Sequence, residues 1–321
     1  MSGPLSALTD SFGRFQTRRA EARARQRMRE LTARREFSGL RHRPEAREFG
    51  DFTAARQALD GTLVLGGFST PLRGLTPWEL ELPSDALMQR QHGVGWLDDM
   101  AALSGKAARS RAQAWLMGWL DRFGEGTGPG WQAACTGQRL RRLLVHLGFL
   151  ERHLPAESLE RVHGALAQHT AYLKDTWAEE TDPVAQLEAL SGLAFGALCL
   201  DGFDDELRIA RSRLTAFSNE TVGENGGIAA RRPSGLLRVF HELLLLRALY
   251  DDLGQPPLPE LEAAILRIAP TLRALRHGDG TLARFHGGSA GAEGALDLAL
   301  ADSRCRTRPR ETPAMGFVRL H

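Results

Sequence analysis

Apolar positions along this chain recur at intervals of three and four residues, and glycine or proline punctuates the recurrence. Residues 14–36 are good helix formers without glycine or proline, and Ser38-Gly39 closes that run. Gly61–Phe68 is different: a short apolar run between glycines, which predicts a hairpin or edge strand. From Pro83 onward the pattern is helical. Helices are predicted over Ser84–Leu103, Lys106–Phe123, Gly137–His153 (with Thr136 as its cap), Glu157–Trp177, Val184–Leu200, Asp204–Phe217, Pro233–Leu253 and Pro259–Arg276. Ala292–Ala301 is a shorter candidate. Short connections make neighbouring helices antiparallel, and such hairpins close into a bundle, a superhelix or a toroid. No fixed-period repeat supports a regular solenoid. The expected fold is all-α, an incomplete α/α toroid with a small β-prone segment near residues 61–68.

Composition narrows the class without naming a chemistry. A chain of 321 residues with 42% hydrophobic and 25% charged residues can bury one large core or two smaller ones. No apolar run approaches the roughly 20 residues of a membrane span. Met1–Asp10 lacks the layout of a signal peptide, which favours the cytoplasm. Cys135, Cys199 and Cys305 lie far apart, so buried free thiols fit better than a disulfide framework or a zinc site. Asp98, Asp99 and Asp279 follow no oxygen-ligand loop pattern, and neither metal nor cofactor is expected.

The net charge is only +2, yet it is unevenly spread. Lys106 and Lys174 are the only lysines. Arg18, Arg19, Arg23, Arg25, Arg27, Arg29, Arg34 and Arg35 form a basic N-terminal run, interrupted by Glu21, Glu30 and Glu36. Two readings stand: a solvated helix face, or a peripheral patch for a membrane or another anionic surface. Nucleic acid is not expected, because no reader helix or aromatic RNA-binding motif accompanies the charge.

Four segments carry candidate chemistry. They are His92-Gly-Val-Gly-Trp96-Leu-Asp-Asp-Met100; Trp115-Leu-Met-Gly-Trp119 with Gly130-Trp131 and Thr136-Gly137-Gln138-Arg139-Leu140; Asn225–Pro233; and His277–Gly288. In this order they resemble the heparinase II/III-like family of polysaccharide lyases, related to alginate lyases, over roughly Gln89 to Arg319. The resemblance implies an N-terminal α/α toroid followed by a β-sandwich. It divides the chain into a basic helical arm (1–48), a linker with a short β element (49–82), the toroid (83–310) and the opening of a sandwich (311–321). It also points to the cell envelope or periplasm.

The chemistry the resemblance implies is β-elimination on a uronate-containing, acidic polysaccharide. One group neutralises the C5 carboxylate, a base removes the C5 proton and an acid protonates the leaving O4. Relatives use an Asn-His pair and a Tyr after the Arg-Ser-Pro turn. Here those places hold Asp182-Pro183-Val184 and Ser234-Gly235-Leu236. The substitutes are His286, Arg231 and His92 as catalytic candidates, with Trp131, Arg139, Arg232, Asn225, Trp96 and Arg284 binding substrate. Arginine offers a bidentate match to a carboxylate, and a glycine-flanked loop lets substrate approach closely. Trp115 and Trp119, at helical spacing, read as core, as does His241; Tyr172 and Tyr250, the only tyrosines, match no motif and read as core or surface packing. The alternative reading is a non-catalytic protein on the same toroid that binds an anionic glycan or a cell-envelope partner.

Overall fold

The computed structural model describes residues 22, 26–30, 36–126, 128–289, 294–307 and 315–317. Most of the basic run, including Arg18, Arg19, Arg23, Arg25, Arg34 and Arg35, lies outside them, as do Arg319 and most of the expected sandwich opening. Residues 26–30 are helical, and 36–51 form an extended strap. Helix α1 (Phe52–Leu59) then leads into the hairpin β1 (Thr62–Leu65) and β2 (Phe68–Pro71), paired antiparallel through Gly66-Gly67. The expected β element is this hairpin.

The rest is helical: α2 (Asp85–His92), α3 (Trp96–Leu103), α4 (Gly105–Phe123), α5 (Ala133–Val145), the single turn α6 (Leu147–Leu150) and α7 (Ala156–Thr176). After them come α8 (Pro183–Cys199), α9 (Asp204–Glu220), α10 (Pro233–Asp252), α11 (Pro259–Ala274) and α12 (Ala295–Asp302). Several boundaries depart from the sequence reading; the predicted helix Gly137–His153 is broken at His146 into α5 and α6. The predicted helix Ser84–Leu103 breaks at Gly93-Val94-Gly95, where Val94 has φ 51°. Helix α5 begins at Ala133, four residues before the predicted start, so Thr136 sits inside it rather than capping it.

Helices α5, α8 and α10 pack side by side as an inner wall, with α7, α9 and α11 running back along the outside. Sequence explains the layering. Helix α8 carries Glu188 as its single charge and buries nearly every residue, as an element flanked on several sides must. Helix α9 is amphipathic and keeps a charged face to solvent. The α5–α8 crossing is close because glycines face each other: a Cβ on Gly192 would overlap the Gly137 backbone. Pro183, Pro233 and Pro259 each open a helix where the missing N–H costs nothing. The core is continuous and holds Cys199 and Cys305; Cys135 is buried too, and all three are free thiols. Among the described residues no helix is long and apolar enough to cross a membrane.

Candidate functional site

Three regions bring polar chemistry together: a buried cluster beneath α2–α5, the concave face of the inner helices, and the rim at their N-terminal ends.

The buried cluster centres on Arg139, whose side chain is fully enclosed. Its guanidinium lies over Trp119 at 4.0 Å and Trp131 at 5.3 Å. Its Nε donates to His169 Nε2 at 2.7 Å, one terminal nitrogen donates to the His92 and Gly130 carbonyls at 2.9 Å, and the other to Thr136 Oγ1 at 3.2 Å. All these acceptors are neutral. Burial without a carboxylate lowers the Arg139 pKa to about 10. His92 accepts from Trp119 Nε1 at 3.1 Å, and burial, helped by the nearby Arg139 charge, lowers its pKa to about 4. The same causes hold His169 well below its ordinary value.

Four expected site residues therefore lie in the core. His92 is 4% exposed and holds an indole N–H. Trp131 donates to the Phe123 carbonyl and is ringed by Trp119, His169 and Tyr172, while Trp96 packs edge-on against Trp115. Their rings and the Arg139 guanidinium face protein atoms, so a cleft-lining role does not fit them. The motif around them builds the toroid.

On the concave face, ion pairs connect four helices, α3, α5, α8 and α10. Arg142 Nε meets Asp98 Oδ2 at 2.6 Å, and His146 Nε2 meets Asp98 Oδ1 at 2.9 Å. Burial alone would raise the Asp98 pKa, but Arg142 and His146 bring it below the usual carboxylate range. Arg141 bridges Glu242 at 3.2 Å and Glu48 at 3.0 Å, and Glu188 pairs with the exposed Arg238. Burial outweighs Arg238 and raises the Glu188 pKa. His241 is not a core residue: its side chain is 40% exposed on this face, 4.0 Å from Glu48. These groups were missed in the sequence. The available signal was charge in the wrong place, namely Glu188 inside an otherwise apolar helix and Glu242 beside the Leu243–Leu246 run, where a carboxylate needs a partner.

The rim gathers the remaining candidates. Asp182 caps α8, accepting from Val184 N at 2.9 Å and Ala185 N at 3.1 Å, and meets Arg232 at 3.5 Å. This ion pair ties the start of α8 to the residue just before α10. Arg231, at φ 49°, donates from Nε to the Met315 carbonyl at 2.8 Å and lies 4.7 Å over the Phe317 ring. Phe317 stacks on Phe285 at 4.0 Å, with the exposed His286 ring 5.9 Å away. Gly288 packs against Ser234 and Arg232, so the 285–288 loop rests on the start of α10. Arg231 and His286 thus flank the same Phe317 ring, and Arg232 lies beside the 285–288 loop. Arg284 is exposed nearby in sequence. Asn225 builds the turn instead: its Oδ1 accepts from Gly227 N and its carbonyl from Thr271 Oγ1, while Gly226, at φ 73°, sits where any Cβ would overlap the Arg267 carbonyl. Among the described residues no three His, Cys, Asp or Glu side chains gather as a metal site would.

An inner wall of parallel helices with an outer return layer is the α/α toroid of the heparinase-like polysaccharide lyases, and comparison with solved structures shows that fold. The chain superposes on a heparinase III with TM-score 0.52 at 13% identity, covering 75% of this chain and 42% of that one. It superposes on heparan sulfate lyase HepC of Pedobacter heparinus with TM-score 0.54 at 13% identity, covering 96% and 55%. In sequence it is similar to FtsZ-localized protein C of Caulobacter vibrioides, 28% identical over 290 residues, which is 88% of this chain and 49% of that protein. The chain thus spans about half the length of that relative. No family profile matches it.

Proposed function

We propose that this chain is a non-catalytic, heparinase-fold scaffold that acts where FtsZ assembles, as the name of its Caulobacter relative describes for that protein. The observation that carries this reading is similarity to that relative along 88% of the chain. The rim supports it. Asp182 is committed to capping α8 and to Arg232, Ser234-Gly235-Leu236 stand where the tyrosine would act, and His92 is locked in the core. The Arg-rich run of residues 18–35 adds a contact for an anionic surface such as a membrane.

The test has two arms. The purified protein is expected to co-sediment with FtsZ polymers, and a fluorescent fusion to follow the FtsZ ring in cells. Absence of both rejects the reading. In the second arm, absorbance near 230 nm is followed during incubation with alginate, heparan sulfate and hyaluronan, since elimination creates an unsaturated uronide. No rise is expected.

A second reading is a lyase or binder of acidic polysaccharide, favoured by the fold and by Arg231 and His286 flanking one aromatic ring, Phe317, at the rim. Under it, Arg231→Ala and His286→Ala each lower turnover or glycan affinity more than tenfold with folding intact. Growth at 230 nm that both variants abolish would replace the scaffold reading.

A further inference from the structure

The strap at residues 36–51 crosses the concave face of the inner helices. It is anchored at both ends. Leu40 pairs with Leu200, the Arg41 and His42 N–H groups donate to the Cys199 carbonyl, and the Asp51 N–H donates to Asp99 at 2.7 Å. Between these ends, side chains hold it. Arg43 meets Glu151 at 2.9 and 3.0 Å, and Arg47 meets Asp252 at 2.7 and 2.8 Å. Glu48 reaches Arg141, and Pro44 is buried. Among the described residues, no backbone N–H from 43 to 50 bonds to the toroid backbone. The cavity left beneath, lined by Pro44, Glu48, Arg141, Arg142, Phe195 and Leu245 among others, has about 20 Å3, room for little more than a water.

The middle of the strap is therefore seated like a bound peptide. Its ion pairs with exposed partners contribute only ~0–1 kcal/mol each. What keeps it in place is tethering, which gives a linked segment an effective concentration on the order of millimolar. The wall beneath is built to receive it. Arg141 is almost fully buried and balanced on one side by Glu242, with its other side turned to Glu48. Asp252 presents both carboxylate oxygens to one guanidinium nitrogen. Asp98, Arg142, His146 and His241 are the other charged or titratable groups facing this segment.

We propose that this concave face is a peptide-binding groove, occupied in cis by the strap, and that its partner is an extended polypeptide carrying a Pro-x-x-Arg-Glu pattern. The partner's Glu meets Arg141 and its Arg meets Asp252, with the proline taking the Pro44 position. The strap is the groove's internal competitor, and a partner gains access when the strap is displaced.

The experiment uses the full chain and a fluorescein-labelled peptide copying Leu40–Asp51, followed by anisotropy. The double variant Arg47→Gln with Glu48→Gln loosens the strap in cis and keeps a polar partner for Arg141. Urea unfolding and far-UV circular dichroism report whether it folds as the parent does. The peptide is expected to bind the variant at least tenfold more tightly than the parent chain. A peptide carrying Gln at both positions is expected to bind the variant at least tenfold more weakly, a comparison that leaves the protein untouched. Equal affinity of the two chains, or of the two peptides, overturns the proposal. So does a uronate hexasaccharide that binds the loosened chain more tightly than the peptide, which would assign the groove to a glycan, or a concentration-dependent dimer of the parent chain that the double variant lacks, which would assign it to a second copy's strap. None of these outcomes depends on FtsZ.

Discussion

The buried cluster around Arg139 and the rim around Arg231 are made of the same residue types, yet they differ in what those residues can do. Each holds an arginine over an aromatic ring, at 4.0 Å for Arg139 on Trp119 and 4.7 Å for Arg231 on Phe317. Each has a histidine close by. In the cluster, every polar atom of the arginine is spent on protein acceptors and the histidines are held neutral. At the rim, His286 stands in solvent and Arg231 spends its donors on two carbonyls of the 315–317 segment. Motif chemistry becomes a framework when water is excluded and remains available for a ligand when it is not. The residue types alone do not distinguish the two cases.

The sharpest way to break this comparison is to remove Arg139. Arg139→Ala leaves the His92 and Gly130 carbonyls, His169 and Thr136 without their donor and opens a large void. The expected loss is on the order of 4 kcal/mol, measured as a shift in urea midpoint. A loss below ~1 kcal/mol would mean that the cluster does not hold the fold.

The pH dependence of stability probes the same cluster more gently. The pKa of His92 is about 4 in the folded protein against an ordinary 6.5, so the unfolded chain takes up the proton first. Stability is fully present above pH 6.5 and is lost as pH falls from about 6.5 to about 4. His169 adds to the loss in the same direction. Asp99 opposes it: burial raises its pKa to about 6, so the folded chain protonates it first and regains part of the stability below that pH. His92→Asn keeps an acceptor for the Trp119 indole and removes the titration. Between pH 7 and 4.5 it should lose ~2 kcal/mol less than the parent. Identical acid losses would show that His92 is more accessible than its surroundings indicate.

The smallest expected effect is at the rim. His286→Ala and Arg231→Ala should each change stability by ~0.5 kcal/mol or less in urea unfolding, as surface substitutions do. A loss of several kcal/mol would make the rim another framework, and the contrast would vanish.

Much of the helical order could be read from the chain itself. The prolines at 183, 233 and 259 mark helix starts, and the apolar run of α8 announces an inner element, because local backbone rules and periodicity act within a few residues. The four ordered motifs indicated a heparinase-like toroid. Burial was not legible. The family resemblance places His92, Trp96, Trp131 and Arg139 in a cleft, but packing encloses them, and Gly130, in a loop expected to be open to substrate, lies against His92.

The partnership of Glu48 with Arg141 and of Arg47 with Asp252 joins positions 93 and 205 residues apart. No local rule could pair them, because an ion pair is chosen by the distance that remains after the whole chain has folded. The sequence by itself determined which segments become helices and where they stop. Only the tertiary structure decided which charges lie under the strap, which arginine is sealed among tryptophans and which is left at the rim, since desolvation depends on everything packed around a group and not on its neighbours in the chain.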